Sequence, residues 1–171
     1  MLSMYNAFHS LLKLGWYKIK FGKKIKYSCM QAYEKIKIEI SSSGKLSLGA
    51  YNQNRGVLYL GVPSGELMIG DHCFFNMNSS ITCMQKIKIG DYCKFGNNLV
   101  IVDHDHNYHS KEPEFISDEI VIGNRVWVGA NVVILKGSKI GDDCVIAAGS
   151  IVNGSVPPNT VFYQKRNTEI H

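Results

Sequence analysis

A parallel β-helix built from six-residue units is the fold class this chain predicts, on two observations. From residue 122 the sequence divides into IGNRVW, VGANVV, ILKGSK, IGDDCV, IAAGSI and VNGSVP, each opening on an aliphatic side chain: Ile122, Val128, Ile134, Ile140, Ile146 and Val152. The fifth place of these units holds Val126, Val132, Ser138, Cys144, Ser150 and Val156, all of small or moderate size. A unit this short cannot pack and reverse two helical turns, but it suits a short strand followed by a corner. Parallel strands at this spacing bury their first-place side chains only if successive units form the sides of a prism. Its coils then stack about 4.8 Å apart, each touching only its neighbours. Glycine often follows the opening residue, at Gly123, Gly129 and Gly141, and reads as the corner residue that accepts positive φ.

The same unit recurs upstream with gaps. IGDHC opens at Ile69 and IGDYC at Ile89, a separation of three units plus two residues, and looser copies lie around Ile38, Leu46 and Leu48. These place the coil over residues 36–162, after an N-terminal segment 1–35 and before a short tail, 163–171. Periodicity does not give the hand of the coil, and the general rule for parallel crossovers gives a right-handed one.

At 171 residues, with 45% hydrophobic and 19% charged residues, the chain suits one domain and excludes a largely disordered one. Six of its 19 basic residues, Lys13, Lys18, Lys20, Lys23, Lys24 and Lys26, fall in the first 30 positions, which hold no Asp or Glu. The body carrying all 14 acidic residues is therefore nearly neutral, which argues against a nucleic-acid groove. No apolar run approaches the roughly 18 residues of a membrane span, and the first residues lack a clean signal-peptide core. The expectation is a soluble, cytoplasmic domain. The five cysteines show no CxxC spacing, which fits a reducing compartment; Cys73, Cys93 and Cys144 fall in the small fifth place of a unit.

Ahead of the coil, Met4, Tyr5, Phe8, Leu11, Leu12, Trp16 and Ile19 recur at helical spacing, so a short amphipathic helix is expected, followed by a lysine-rich stretch. Such a helix caps a core or packs on a partner subunit; the sharper alternative is peripheral contact with an anionic membrane.

Between Ile101 and Ile122 the period lapses, and residues 103–119 are polar and aperiodic. A loop of this length inside a compact repeat is functional or disordered. It carries His104, His106 and His109, half of the six histidines, and histidine titrates near neutrality, as a general base must.

These residues resemble a known family. The run IGNRVWVGANVVILKGSKIGDDCVIAAGSIV, with VDHDHNYHS in the break, is similar to the hexapeptide-repeat acyltransferases, in particular the maltose, galactoside and polysaccharide O-acetyltransferases. The resemblance covers residues 67–160 well, the preceding coil loosely and the first 30 hardly at all. It implies a left-handed β-helix, a homotrimer with active sites at subunit interfaces, acetyl-CoA as donor and a sugar or glycan as acceptor, with no metal required. The implied pathway is bacterial surface polysaccharide biosynthesis.

Residue by residue, the family's catalytic histidine falls seventeen places after the Ile of IGD, at His106, and its asparagine near the acceptor hydroxyl falls at Asn76. Asp103 or Asp105 is expected to orient the imidazole, with His104 and His109 left to acceptor contacts or no role. Trp127 matches the tryptophan beside the coenzyme, and Gly129, Ala130, Ala148 and Gly149 the positions lining the pantetheine arm. Lys139, Lys165 or Arg166 would meet the coenzyme phosphates. A cysteine nucleophile is disfavoured, since a compact thiol in the fifth place fills the prism.

The chain also departs from the family. Asn153 and Gly154 replace a Thr-Lys pair, YQKRNTEI replaces a Gly-Asn-Pro-Ala segment, and CMQK at 83–86 stands where an acidic pair often follows the acceptor coil. Three other readings stay open: N-acetylation of an amino sugar, a zinc-dependent carbonic-anhydrase-like protein using His72, His104, His106 and His109, and a non-catalytic scaffold.

Overall fold

The first-place aliphatic side chains turn inward and stack into columns. Ile69, Ile89, Ile122 and Ile140 lie on successive strands of one face, and Phe75, Phe95, Val128 and Ile146 on successive strands of the next, all buried. Phe75 and Phe95 stack at 4.7 Å with rings 8° apart. A buried side chain of this size contributes about 1.5–3 kcal/mol, so the prism is held by its own repeat. This computed structural model describes residues 4–28, 30–41, 43–109, 111 and 114–165.

Three faces follow one another around each coil. The first holds seven parallel strands, from Ile25–Tyr27 through Lys45–Leu48, Glu66–Ile69, Lys86–Ile89, Ile120–Ile122 and Lys139–Ile140 to Ser155–Val156. The second carries Phe74–Phe75, Lys94–Phe95, Trp127–Val128, Val145–Ile146 and Val161–Phe162; the third carries Ser79–Thr82, Val100–Val102, Val133–Ile134 and Ile151–Val152. Gln53–Val62 belongs to both: Gln53 and Asn54 pair with Phe74 and Phe75, while Leu58–Gly61 pair with Ser79–Thr82. It bends between them at Gly56, where φ is 61°.

The IGD motif has a physical reading that periodicity alone did not supply. Gly123, Gly129 and Gly141 are not in the left-handed region. A Cβ on Gly70 would lie 2.8 Å from the carbonyl carbon of Gly90, and one on Gly129 would lie 2.6 Å from the Ala148 nitrogen. These glycines let adjacent coils approach, and the left-handed residue comes later, at His72, Tyr92, Arg125 and Asp143, with φ from 55° to 58°. The acidic or amide residue after the glycine joins the coils: Asp91 Oδ1 accepts from Asp71 N–H (2.8 Å), Asn124 Oδ1 from Asp91 N–H (2.9 Å) and Asp142 Oδ1 from Asn124 N–H (2.8 Å).

The coil begins earlier than residue 36. Ile25 pairs with Leu46, and the strand Ala32–Ile40 pairs in parallel with Gln53–Val62, so residues 25–40 supply the first coil. These residues lack the glycine and small-residue marks of the later units, because no coil packs beneath them. The N-terminal helix, Met4–Phe21, takes that place. Its packed residues are Ser10, Leu14 and Tyr17: Tyr33 N–H donates to Ser10 Oγ (2.6 Å) and Ile38 N–H to Tyr17 Oη (3.1 Å). The helix thus caps the core, but not through the apolar series that marks it in the sequence. Met4, Tyr5, Phe8, Leu11, Leu12, Trp16 and Ile19 are all exposed.

Candidate active site

The break in the coil is an antiparallel hairpin rather than an aperiodic loop. After Val102 the chain leaves the third face as the strand His104–His106, returns as Phe115–Ser117, and re-enters the first face at Ile120. His104 is opposite Ser117 and His106 opposite Phe115. Alternate residues of a strand share a face, so the two imidazoles lie together against Phe115, with ring centroids at 5.5 Å for His104 and 4.5 Å for His106. Asp105 points the other way and pairs with Lys136.

Asp103 is placed otherwise than expected: its imidazole partner is His104, not His106. Its side chain is fully buried. Oδ1 accepts from Met84 N–H (2.8 Å), and Oδ2 from Gln85 N–H (2.8 Å) and Lys86 N–H (2.9 Å). His104 Nδ1 donates to Oδ1 at 3.0 Å, which sets the tautomer and leaves Nε2 as the basic atom. The CMQK departure from the family pattern is therefore the turn whose backbone wraps Asp103. Burial, reinforced by the Asp103 carboxylate, pushes the neighbouring Cys83 thiol well up, and the Cys93 contact together with burial does the same to Cys73. Neither is an available thiolate.

His106 is exposed on the outer part of the hairpin strand. His109, beyond the strand, has its N–H on Asn107 Oδ1 (3.3 Å) and its ring against Tyr108.

A second group of candidates lies along the edge between the second and third faces. Asn76 N–H donates to Phe95 O (3.0 Å), Gly129 N–H to Ile146 O (2.8 Å) and Gly149 N–H to Ala130 O (2.8 Å), so Asn76, Gly129, Ala130, Ala148 and Gly149 line one edge across successive coils. Asn76 Oδ1 accepts from Met77 N–H (3.0 Å), so what it offers a ligand is its amide donor. Trp127 stands beside this edge on the second face, between Lys94 and Val145, 58% exposed. It also borders a hollow of about 500 Å³ lined by His72, Tyr92, Lys94, Arg125 and Val126. Lys139 is exposed on the first face and Lys165 beyond the last strand; Arg166 lies outside the described residues.

The fold brings each group together but keeps the groups apart. The hairpin leaves the corner between the third and first faces, whereas the glycine edge lies at the corner between the second and third and Trp127 on the second face itself. His72 is on the remaining corner, stacked between Tyr51 and Tyr92 at 4.7 and 4.6 Å. Among the described residues no three His, Cys, Asp or Glu side chains gather as a metal-binding group. Sequence reasoning missed the Asp103–His104 pair and Phe115; the signal was present in the alternation DHDH facing FIS.

Two family patterns match the coil: the bacterial transferase hexapeptide (six repeats) over residues 119–154 and the hexapeptide repeat of succinyl-transferase over 66–102. The chain is 41% identical over 99 residues to a galactoside O-acetyltransferase of Escherichia coli K12, a stretch covering 56% of this chain and 49% of that protein. It is 29% identical over 136 residues to a putative lipopolysaccharide biosynthesis O-acetyl transferase of the same organism, covering 72% and 69%. A hexapeptide-repeat acetyltransferase of Vibrio cholerae, solved with acetyl coenzyme A, superposes with a TM-score of 0.57 at 25% identity over 92% of this chain and 79% of that one. The chain spans about half the length of the first of these relatives. The repeat and its inward columns agree with the hexapeptide patterns matched over residues 66–102 and 119–154, and the chain is similar to hexapeptide-repeat acetyltransferases over these coils.

Proposed function

We propose that the protein transfers an acetyl group from acetyl-CoA to a sugar hydroxyl, in the assembly of a bacterial surface polysaccharide on the cytoplasmic side. The observation that carries this reading is the hairpin, which interrupts the prism once and presents two imidazoles on one face. The relatives' named activities and the acetyl coenzyme A bound by the Vibrio protein support the donor and the acceptor class.

The donor runs along the edge of Gly129, Ala130, Ala148 and Gly149, where small residues let a thin pantetheine chain approach the backbone. Trp127 lies beside it, and Lys165 is available to its phosphates. The two groups of residues occupy different corners of one chain, so a complete site requires the hairpin of one copy beside the glycine edge of another, as in a homotrimer. His106 takes the proton as the acceptor oxygen attacks the thioester carbonyl carbon, and the Asn76 amide steadies the acceptor or the tetrahedral oxyanion. The carbon–sulfur bond then breaks, and the imidazolium returns its proton to the departing thiolate.

A second reading of the base has its own observation. His104 is anchored at Nδ1 by a buried carboxylate, the arrangement that orients an imidazole for proton transfer at Nε2, whereas among the described residues the His106 ring rests on Phe115. A screen of sugar acceptors with acetyl-CoA, read as released thiol, tests the function. His106→Ala and His104→Ala then separate the readings: the base is the residue whose loss lowers turnover at least about a hundredfold with the assembly intact. If no sugar supports thiol release, the acceptor class is wrong.

A further inference from the structure

We propose that the N-terminal helix docks the protein on an anionic lipid bilayer through the face it turns away from the coil. At 3.6 residues per turn, Met4, Tyr5, Phe8, Leu11, Leu12, Trp16 and Ile19 fall within one arc of about 140°. The packed residues Ser10, Leu14 and Tyr17 sit on the opposite side of the helix. The outer arc holds seven large apolar side chains exposed by 46% (Leu11) to 89% (Met4). Isolated exposed apolar residues are ordinary, but a contiguous stripe on one helix face marks a contact surface.

The charge around the stripe selects the occupant. Lys18 borders the arc on one side and Lys13 and Lys20 on the other, and Lys23, Lys24 and Lys26 continue from the helix end into the first strand. Residues 1–30 contain no acidic side chain. Lys20 Nζ lies 5.2 Å from the Trp16 ring centroid, so cation and indole stand together at the edge of the stripe. Apolar side chains entering the headgroup boundary, flanked by lysines whose stems stay apolar and whose ammonium groups meet lipid phosphates, are what an interfacial helix requires. Pairing with a second copy through the same face is disfavoured, because a two-fold contact would bring these lysines against each other. No helix among the described residues is long and apolar enough to cross a membrane, so the helix lies in the interface plane.

The test is flotation of the full chain with vesicles of phosphatidylglycerol and phosphatidylcholine against phosphatidylcholine alone. Binding is expected to the anionic vesicles, to fall steeply with added salt, and to weaken at least about tenfold in the double variant Phe8→Glu, Leu12→Glu. Neither residue packs on the coil, so this variant keeps the parent's unfolding midpoint and assembly state. Equal binding to neutral vesicles, or none at low salt, overturns the proposal. A change in assembly state in the variant also overturns it, since the stripe would then be covered by another copy. The result does not depend on which sugar is acetylated.

Discussion

Asp103 and His104 are adjacent in sequence and joined through Oδ1 and Nδ1 at 3.0 Å, with the carboxylate fully buried and the imidazole partly exposed. The buried member does two things at once. It ties three backbone N–H groups of the preceding coil and aims one ring of the hairpin.

Asp103→Ala therefore leaves the N–H groups of Met84, Gln85 and Lys86 without their acceptor. At about 1–3 kcal/mol for each buried donor left unpaired, tempered by entering water, a loss of about 3 kcal/mol or more is expected. Urea unfolding measures it, and Asp103→Asn, which keeps an acceptor oxygen, should cost clearly less.

The two histidines make a kinetic prediction that does not depend on stability. Each is partly or fully exposed, so His104→Ala and His106→Ala should fold and assemble as the parent does. Loss of the base lowers kcat at least about a hundredfold with little change in KM for acetyl-CoA. A parent-like rate in both variants would move the base elsewhere.

Trp127 is more than half exposed, so its role is legible in binding rather than folding. Trp127→Ala is expected to raise KM for acetyl-CoA about tenfold, equivalent to about 1.4 kcal/mol, with an unchanged melting midpoint. Steady-state kinetics together with a thermal scan would show whether the two quantities separate.

Glycines in two places should respond with opposite signs. Gly70→Ala puts a methyl 2.2 Å from Asp91 Oδ1 and 2.8 Å from the Gly90 carbonyl, forcing two coils apart, and is expected to destabilise by about 1–3 kcal/mol, as overpacking does. Gly15→Ala meets nothing within 4 Å on the N-terminal helix and should stabilise by about 0.5–1 kcal/mol. Denaturant midpoints decide both.

At the first corner, Arg125 bonds Asp143 through Nε and Nη2, both at 2.7 Å, and this holds the Asp143 carboxyl below the usual carboxylate range. Asp142 is also held low, chiefly by the Asn124 N–H. Because both folded values are depressed, their contribution is present above the ordinary carboxylate pKa and is lost as pH falls through the folded value. In Arg125→Ala, carbon-detected NMR titration should show Asp143 returning toward the usual range while Asp142 stays low.

The prism was readable because its cause is local and repeated. One inward aliphatic, one small fifth residue and one tight glycine recur wherever a coil has a coil beneath it. The first coil was not readable, since Ile25 and the long strand Ala32–Ile40 rest on a helix and carry no such marks. The helix itself was readable from its period, but not its orientation. Seven apolar residues outnumber Ser10, Leu14 and Tyr17, yet a serine hydroxyl and a tyrosine hydroxyl that meet strand N–H groups fit the coil's open end.

The candidate site divides in the same way. Trp127 and the glycine edge follow from their places in the repeat, because register alone stacks them. The partner of Asp103 does not follow from order along the chain: a strand turns neighbours to opposite sides, and only the hairpin's departure from the coil swings His104 back over the carboxylate. What the sequence by itself determined is the coil beyond its first turn and the residues along each edge, since these repeat a short-range rule. Only the tertiary structure decided which imidazole the buried acid holds, and that hairpin and glycine edge stand on separate corners, since those depend on how faces close around the prism.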